Sequence, residues 1–398
     1  MIEIRQISPT RRQLKEFTHF HIDLYKDNPY FVPPLVVDDL DTLNPEKNPA
    51  FDFCEADYFM AYRDGKPVGR IAAIINRQVN EASGQKAARF GFVDFIDDKE
   101  VSGALLARVE QWAREKGMEK VIGPLSFTDL DKEGCLIEGF DQLSTMATIY
   151  NYPYYPEHFE HHGYVKESDW VEYLIAIPDG IPEKHLRIAE IVKKKFGLKV
   201  VKYKSRRKIK EEYGKALFHL INDAYKDLYQ FSRLTDRQID KYIDDYLSLL
   251  DLDLVTIITD AEGTIVGVGI SMPSMSRALQ KSRGRFFPMG WWHLLKGLKG
   301  KNDRVDLLLV AVRPDYQAKG VNALLFVDLI PQYIKKGFKW AESNPEMEGN
   351  AKVQNQWEAF NPKLNKRRRS YVKYLVEQPA ATPAAAESAA PRDLTPKA

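Results

Sequence analysis

Residues 305–326 read VDLLLVAVRPDYQAKGVNALLF. Residues 305–312 form an apolar run with the length of a buried strand, and Arg313-Pro314 break it. Gln317-Ala318-Lys319-Gly320-Val321-Asn322 then make a polar turn, with an apolar helical pattern directly behind it. The first turn of a helix carries backbone N–H groups with no partner inside the helix, and the peptide dipoles place partial positive charge there. Gly320 lets an anion approach the backbone without a side chain in the way, and Lys319 adds charge. The segment fits a phosphate cradle; a lone glycine before a helix also fits an ordinary strand–helix turn.

Outward from this segment the chain repeats itself. Residues 58–75, YFMAYRDGKPVGRIAAII, match 254–271, LVTIITDAEGTIVGVGIS. Each is a strand, a turn at Gly65 or Gly263, and a second strand, the pattern of a hairpin. A helical stretch precedes each hairpin (9–26, 211–230), and a strand follows (89–96, 305–312). Next come a helix (101–117, 321–337) and another strand (119–127, 338–344). Gly117 and Gly337 suit the left-handed position that closes a helix. Each half ends in a helix and a strand: 154–162 with 170–177, and 350–360 with 368–376. The order predicts an α/β (α+β) protein of two similar halves, each a sheet covered by helices. The expected division is 1–178, a connector at 179–200 where IPDGIPEK breaks the strand pattern, and 201–377. The Ala-, Pro- and Ser-rich tail 378–398 is expected to be disordered.

Composition narrows the function. The 58 basic and 56 acidic residues leave a formal charge of +2, which speaks against nucleic acid as the main partner. Cys54 and Cys135 match no metal or redox spacing and read as buried free thiols. No apolar leader opens the sequence and no apolar run is long enough to span a bilayer, so the expected location is the cytoplasm.

With the strand, Val312-Arg313-Pro314 and then Gln317, Gly320 and Asn322 opening a helix, the segment resembles motif A of the GNAT-type N-acyltransferase superfamily. The order of elements is similar to that fold, and two copies cover nearly the whole chain, so the resemblance implies two GNAT-like domains with mixed, mostly antiparallel sheets. Asn322 departs from the family's second glycine. The resemblance implies acyl-CoA or another pantetheine thioester as co-substrate, and no metal. Its diphosphate would lie on the amides of Gln317, Ala318, Lys319, Gly320, Val321 and Asn322. Its pantetheine arm would pass Ala311, Val312 and Asn344, between the strands 305–312 and 338–344. The first copy carries Asp97, Asp98 and Glu100 where the diphosphate would sit, and is expected not to bind it. The N-terminal half also resembles a narrower group of long bacterial GNAT-like proteins, through Leu24-Tyr25, Asn28-Pro29, Val32-Pro33-Pro34-Leu35, Pro45-Glu46-Lys47-Asn48-Pro49, the run from Arg63 to Ile71, Glu138-Gly139-Phe140-Asp141 and Tyr150-Asn151. That resemblance implies kinship with bacterial ceramide synthase and a link to lipid metabolism.

Amide formation needs a base for the amine and an acid for the leaving thiol. By resemblance, the strand after motif A lies beside the thioester, which makes Glu342 the candidate base; an exposed or capping carboxylate is the alternative. Tyr371, by its order along the chain, is the candidate acid. The run Lys366-Arg367-Arg368-Arg369 before it could meet a cofactor phosphate, an anionic headgroup or only solvent, and solvent is the first expectation. In the loop 128–152, Asp129, Asp131, Glu138 and Asp141, with Tyr150, are candidates to bind an ammonium substrate. His158, His161 and His162 lack a matching carboxylate motif, so no metal is expected. The insert 276–301 mixes seven Lys or Arg with Trp291, Trp292 and other apolar residues, and has no acid. It reads either as a buried helix joining the halves or as a lipid-facing segment, with 284–299 touching the inner membrane face. The expected function is transfer of an acyl group to an amine, small or lipid-like. The competing readings are a binding protein that kept the fold and lost the chemistry, and a tRNA-dependent aminoacyl transferase.

Overall fold

Alternating apolar residues at 54–76 pair into a long hairpin because Asp64 and Gly65 both adopt positive φ, 52° and 75°, the turn geometry whose twist matches paired strands. The computed structural model describes residues 1–246 and 250–376. The expectation for the tail 378–398 lies outside the described residues. The first half runs β1 (Ile2–Ile7), α1 (Arg11–Leu24), α2 (Val36–Thr42), β2 (Cys54–Arg63), β3 (Lys66–Asn76), α3 (Arg77–Ser83), β4 (Ala87–Phe95), α4 (Lys99–Glu115), β5 (Lys120–Gly123), β6 (Cys135–Glu138), α5 (Tyr155–His161) and β7 (Val165–Ala176). After α6 (Glu183–Phe196) and β8 (Lys199–Val201), the second half runs α7 (Arg206–Tyr225), α8 (Asp236–Tyr246), β9 (Val255–Thr259), β10 (Ile265–Pro273), α9 (Ser276–Ser282), α10 (Gly290–Lys299) and β11 (Arg304–Val312). It ends with α11 (Asn322–Lys336), β12 (Trp340–Ser343), β13 (Glu346–Met347), α12 (Ala351–Gln354) and β14 (Lys363–Tyr374).

The longer helices bury one stripe each. Val101, Leu105, Val109 and Ala113 of α4 recur every four residues and are buried in one core with Phe59, Ile71 and Phe90 of the first-half sheet. Leu105 is fully buried, so Leu105→Ala would cost about 2–5 kcal/mol. In the second half, Leu217, Leu220 and Ile221 of α7 share a core with Ile257 and Val268. On the other face, Leu329, Ile330 and Tyr333 of α11 share one with Val305 and Ala341. Both cysteines are buried and free.

The sheets of the two halves are one. The strand order is β1-β2-β3-β4-β5-β14-β7-β12-β11-β10-β9-β8, with β13 beside β7 and β6 beside β14. Among the described residues, only β4–β5 and β11–β12 run parallel; the remaining pairs are antiparallel. The last strand of the chain, β14, sits against β5 of the first half, while β7 sits against β12 of the second. The halves have therefore exchanged their final strands, and the exchanged strands pair with each other along nearly their full length. Periodicity identifies a strand but not its neighbours, so sequence order suggested a separate sheet for each half. Two elements are shorter than read: the strand at 119–127 is a strand only over Lys120–Gly123, before Pro124, which has no N–H to donate, and 350–360 is one turn of α-helix followed by 3-10 helix.

Candidate active site

The turn between β11 and α11 is left open by its own backbone. Among the described residues, the amides of Ala318, Gly320, Val321 and Asn322 make no hydrogen bond, and no side chain caps α11. Ala318 and Gly320 are left-handed, at φ 58° and 81°, a conformation in which neighbouring N–H groups converge on a concavity that suits an anion. Residues 317–319 are exposed. Lys319 rests its ammonium over the rings of Phe196 and Tyr316, 5.4 Å from each, which holds positive charge beside the turn. The Gln317 side chain turns back to donate to Val312 O at 3.1 Å. Gly320 has a second reason to be glycine: a Cβ there would stand 2.9 Å from Ile188 and 3.3 Å from Val192 of α6. The matching turn of the first half is closed. Asp98 accepts from the amides of Glu100 (2.9 Å) and Val101 (3.4 Å) and pairs with Arg63 at 2.8 Å. The groups an anion needs are already taken there.

Beyond the open turn the sheet forks. β11 and β12 pair only from Arg304–Trp340 to Leu307–Ser343. On the other side of β11 the register to β10 slips by one residue at Leu308, a bulge that bends the strand. Asn344 donates to Leu308 O at 2.7 Å, bracing the fork where the strands part. On the α11 face lies an apolar cleft of ≈ 620 Å³ including its open mouth, lined by Leu307, Val310, Leu325, Phe326, Trp357 and Phe360. Its rim includes Gln356, whose side-chain oxygen accepts from Asn322 at 3.0 Å, so turn and cleft share an edge.

Beside the fork lies a cluster of buried charges drawn from four strands. Lys366 of β14 contacts both Glu342 of β12 and Glu172 of β7. Glu342 also accepts from Asn365 (2.9 Å) and Arg304 (3.2 Å), and Arg368 pairs with Glu172. Burial alone would raise the Glu172 carboxyl, but Arg368 and Lys366 outweigh it and hold the group below its usual range. Asp306 of β11, directly across from Glu342, is different. It is 1% exposed; among the described residues neither carboxylate oxygen has a partner of good hydrogen-bond geometry, although the Ser274 hydroxyl lies near enough to oppose part of the shift. Burial, and then repulsion from Glu342, push it up to about 7. That is the value of a group that exchanges a proton at neutral pH.

Comparison with solved structures gives the architecture. A tandem GNAT protein from the clavulanic acid biosynthesis pathway superposes on 95% of this chain and 100% of its own, with a TM-score of 0.55 at 12% identity. A GCN5-related glucosamine N-acetyltransferase region of a fungal β-N-acetylglucosaminidase covers 94% of this chain and 38% of that one, at 0.53. The chain has the tandem GNAT fold. No family model matches it. Among curated proteins, Protein YghO of Escherichia coli is 28% identical over 371 residues, 92% of this chain and 94% of that one. Bacterial ceramide synthase of Caulobacter vibrioides is 28% identical over 310 residues, 77% and 80% of the two chains.

Within this tandem GNAT fold, the residues singled out in the sequence scatter. Glu342 does lie beside the fork, but it is neither exposed nor capping: it is buried and tied to Lys366, Asn365 and Arg304. Tyr371 does not. Strand exchange carries it into the first half, opposite Gly123, where it is fully buried 5.3 Å from Phe159. The basic run is also corrected. In a strand alternate residues face opposite sides, so Lys366 and Arg368 are buried, while Arg367 and Arg369 face outward to Glu348 and Asp169. The acids of the 128–152 loop are engaged one by one. Asp129 accepts from Ser232 N at 2.9 Å, and burial raises it to about 6. Asp131 caps Thr128, Glu138 meets Arg367 at 3.2 Å, and Asp141 is exposed. Tyr150 is core: its hydroxyl donates to Phe140 O and accepts from Asn28, each at 3.0 Å. Ala311 packs toward α7 and Val312 toward α6 and α11. Trp291 and Trp292 stand on the outer side of α10, well exposed. His158 bonds Ser102 at 2.9 Å and Asp97 at 3.0 Å, and His162 bonds the same Ser102 at 2.9 Å; with Ser102 fully buried, this is a clasp between α4 and α5. Sequence reasoning missed Asp306, although a lone carboxylate within an otherwise apolar strand is a visible signal.

Proposed function

We propose that this protein is an N-acyltransferase that moves an acyl group from acyl-CoA, or another pantetheine thioester, to an amine. The observation that carries the reading is the continuity of four unpaired amides at the front of α11 with an apolar cleft beginning where β11 and β12 part. The amides of Ala318, Gly320, Val321 and Asn322, with Lys319 beside them, suit a diphosphate. The fork suits a thin arm, and the wall of Phe326, Trp357 and Phe360 suits an apolar one. Asp306 is the base in this reading. It takes a proton from the incoming ammonium; the amine nitrogen then bonds to the thioester carbon, the C–S bond breaks, and the departing thiolate takes up the second proton that the acylated nitrogen sheds. Glu342, held by Lys366 and Arg304, is a positioning residue that keeps Asp306 basic enough for this at neutral pH. The apolar cleft and the 28% identity to a protein named for ceramide synthesis support a long-chain or lipid-like substrate.

Calorimetry with CoA tests the cradle. Ala318→Asp adds a negative charge at an exposed left-handed position that Asp tolerates, and is expected to weaken CoA binding about tenfold or more while leaving the melting temperature unchanged. Equal binding by both proteins would reject the site. Mass spectrometry of products from a panel of acyl-CoAs and amines identifies the substrates.

A further inference from the structure

The insert 276–301, with its seven cations and no acid, folds into the hairpin α9–α10. Arg277, Lys281, Arg283, Arg285, Lys296, Lys299 and Lys301 are all exposed, and among the described residues none is in an ion pair, whereas the flanking Arg304 and Arg313 both are. Interleaved with them are six exposed apolar side chains: Phe287 at 74%, Met289 at 58%, Phe286 at 48%, Trp291 and Trp292 at 43% and Leu295 at 42%. Lys296 lies over the Trp292 ring at 5.1 Å. Tyr30 and Val37 of the first half, also exposed, flank a segment bound to the hairpin through Val36 N to Gly284 O at 2.9 Å.

The inner side of the hairpin has a different task. Leu294, Leu279 and Met275 pack with Met272 and Leu308, the residue at which the strands fork. One hairpin thus has its inner face packed beside the strand fork and an apolar, cationic outer face in water. Exposed aromatic and aliphatic groups mixed with unpaired cations match the boundary of an anionic bilayer, where the rings enter the headgroup layer and the cations meet lipid phosphates. α10 has 10 residues, too short to cross the ~20-residue hydrocarbon core, and among the described residues no helix is long and apolar enough to do so.

We propose that the α9–α10 hairpin docks this protein on the surface of an anionic lipid bilayer and draws a membrane-borne amine toward the fork. The second half of that statement rests on the acyltransfer reading; the docking does not. Sedimentation of the full chain with vesicles of phosphatidylethanolamine and phosphatidylglycerol is expected to carry the protein down. Vesicles of phosphatidylcholine alone should hold it about tenfold less, and added salt should release it. Phe287→Ser with Met289→Ser, and separately Arg285→Glu with Lys299→Glu, should each lower the bound fraction about tenfold or more while CoA binding stays intact. Wild-type protein that stays in the supernatant, or variants that bind as wild type does, would overturn the docking. So would a wild-type dimer that these substitutions turn into a monomer without any vesicle binding, since a second copy would then be the occupant. Vesicle binding without CoA binding leaves the docking standing and removes the acyltransfer reading; the converse removes the docking alone.

Discussion

Replacing Asp306 by asparagine keeps the shape of the side chain and removes the proton it exchanges. Asp306 faces Glu342 on β12, Arg304 lies two residues away on its own strand, and Lys366 approaches from β14. Their balance, on top of burial, leaves the carboxyl raised from 3.8 to about 7. An aspartate raised in this way favours the folded state while both states are protonated. That advantage fades as pH climbs from 3.8 through about 7, because the unfolded chain sheds the proton first. At 1.36 kcal/mol per pH unit, the full difference is about 4 kcal/mol, of which about 3 should accrue between pH 5 and pH 8. The amide of Asp306→Asn has nothing to ionise, so urea unfolding should show the variant gaining about 3 kcal/mol on wild type over that interval. Activity should move the other way. Wild-type kcat should rise with pH through about 7, and Asp306→Asn should lower kcat about a hundredfold or more and abolish that rise, with thioester binding unchanged. A variant with wild-type turnover and the same pH profile would refute both the role and the charge arrangement behind it.

Lys366 compensates two buried carboxylates, so Lys366→Met should cost about 3–5 kcal/mol by urea unfolding, and adding Glu342→Gln should return part of it; a loss near zero would mean the cluster is hydrated. The strand exchange predicts that residues 1–178 made alone will aggregate, because the long strand β7 loses β14 on one side and β12 on the other while β5 loses β14, and that co-expression with residues 179–398 will restore soluble protein. A monomeric, cooperatively folding 1–178 fragment, seen by analytical ultracentrifugation and circular dichroism, would contradict it.

The order of elements was legible because it rests on local physics. The Asp64-Gly65 turn, the fourfold spacing of α4 and the strand–turn–helix at 305–326 each follow from the residues that form them. The open cradle was legible for the same reason, since helix ends are local, and so was its closure in the first half by the acids near Asp98. Asp306 could have been found as a carboxylate in an apolar strand, but its raised proton affinity depends on Glu342, 36 residues away, and on Lys366 beyond that. Tyr371 lies elsewhere than its order along the chain suggests because two strands cross from one half to the other, and the basic run divides because alternate residues of a strand face opposite sides.

The sequence by itself determined the alternation of helices and strands, the repeat, and the turn able to receive an anion, because hydrophobic period, turn residues and helix ends act over a few residues. Only the tertiary structure decided which strands lie side by side, because backbone hydrogen bonding between strands carries no label of the partner. From that single decision follow the buried cluster of Glu172, Glu342, Lys366 and Arg368 and the removal of Tyr371 from the fork. Folding likewise turned one face of the 276–301 insert toward the core and left the other, cationic and aromatic, in water.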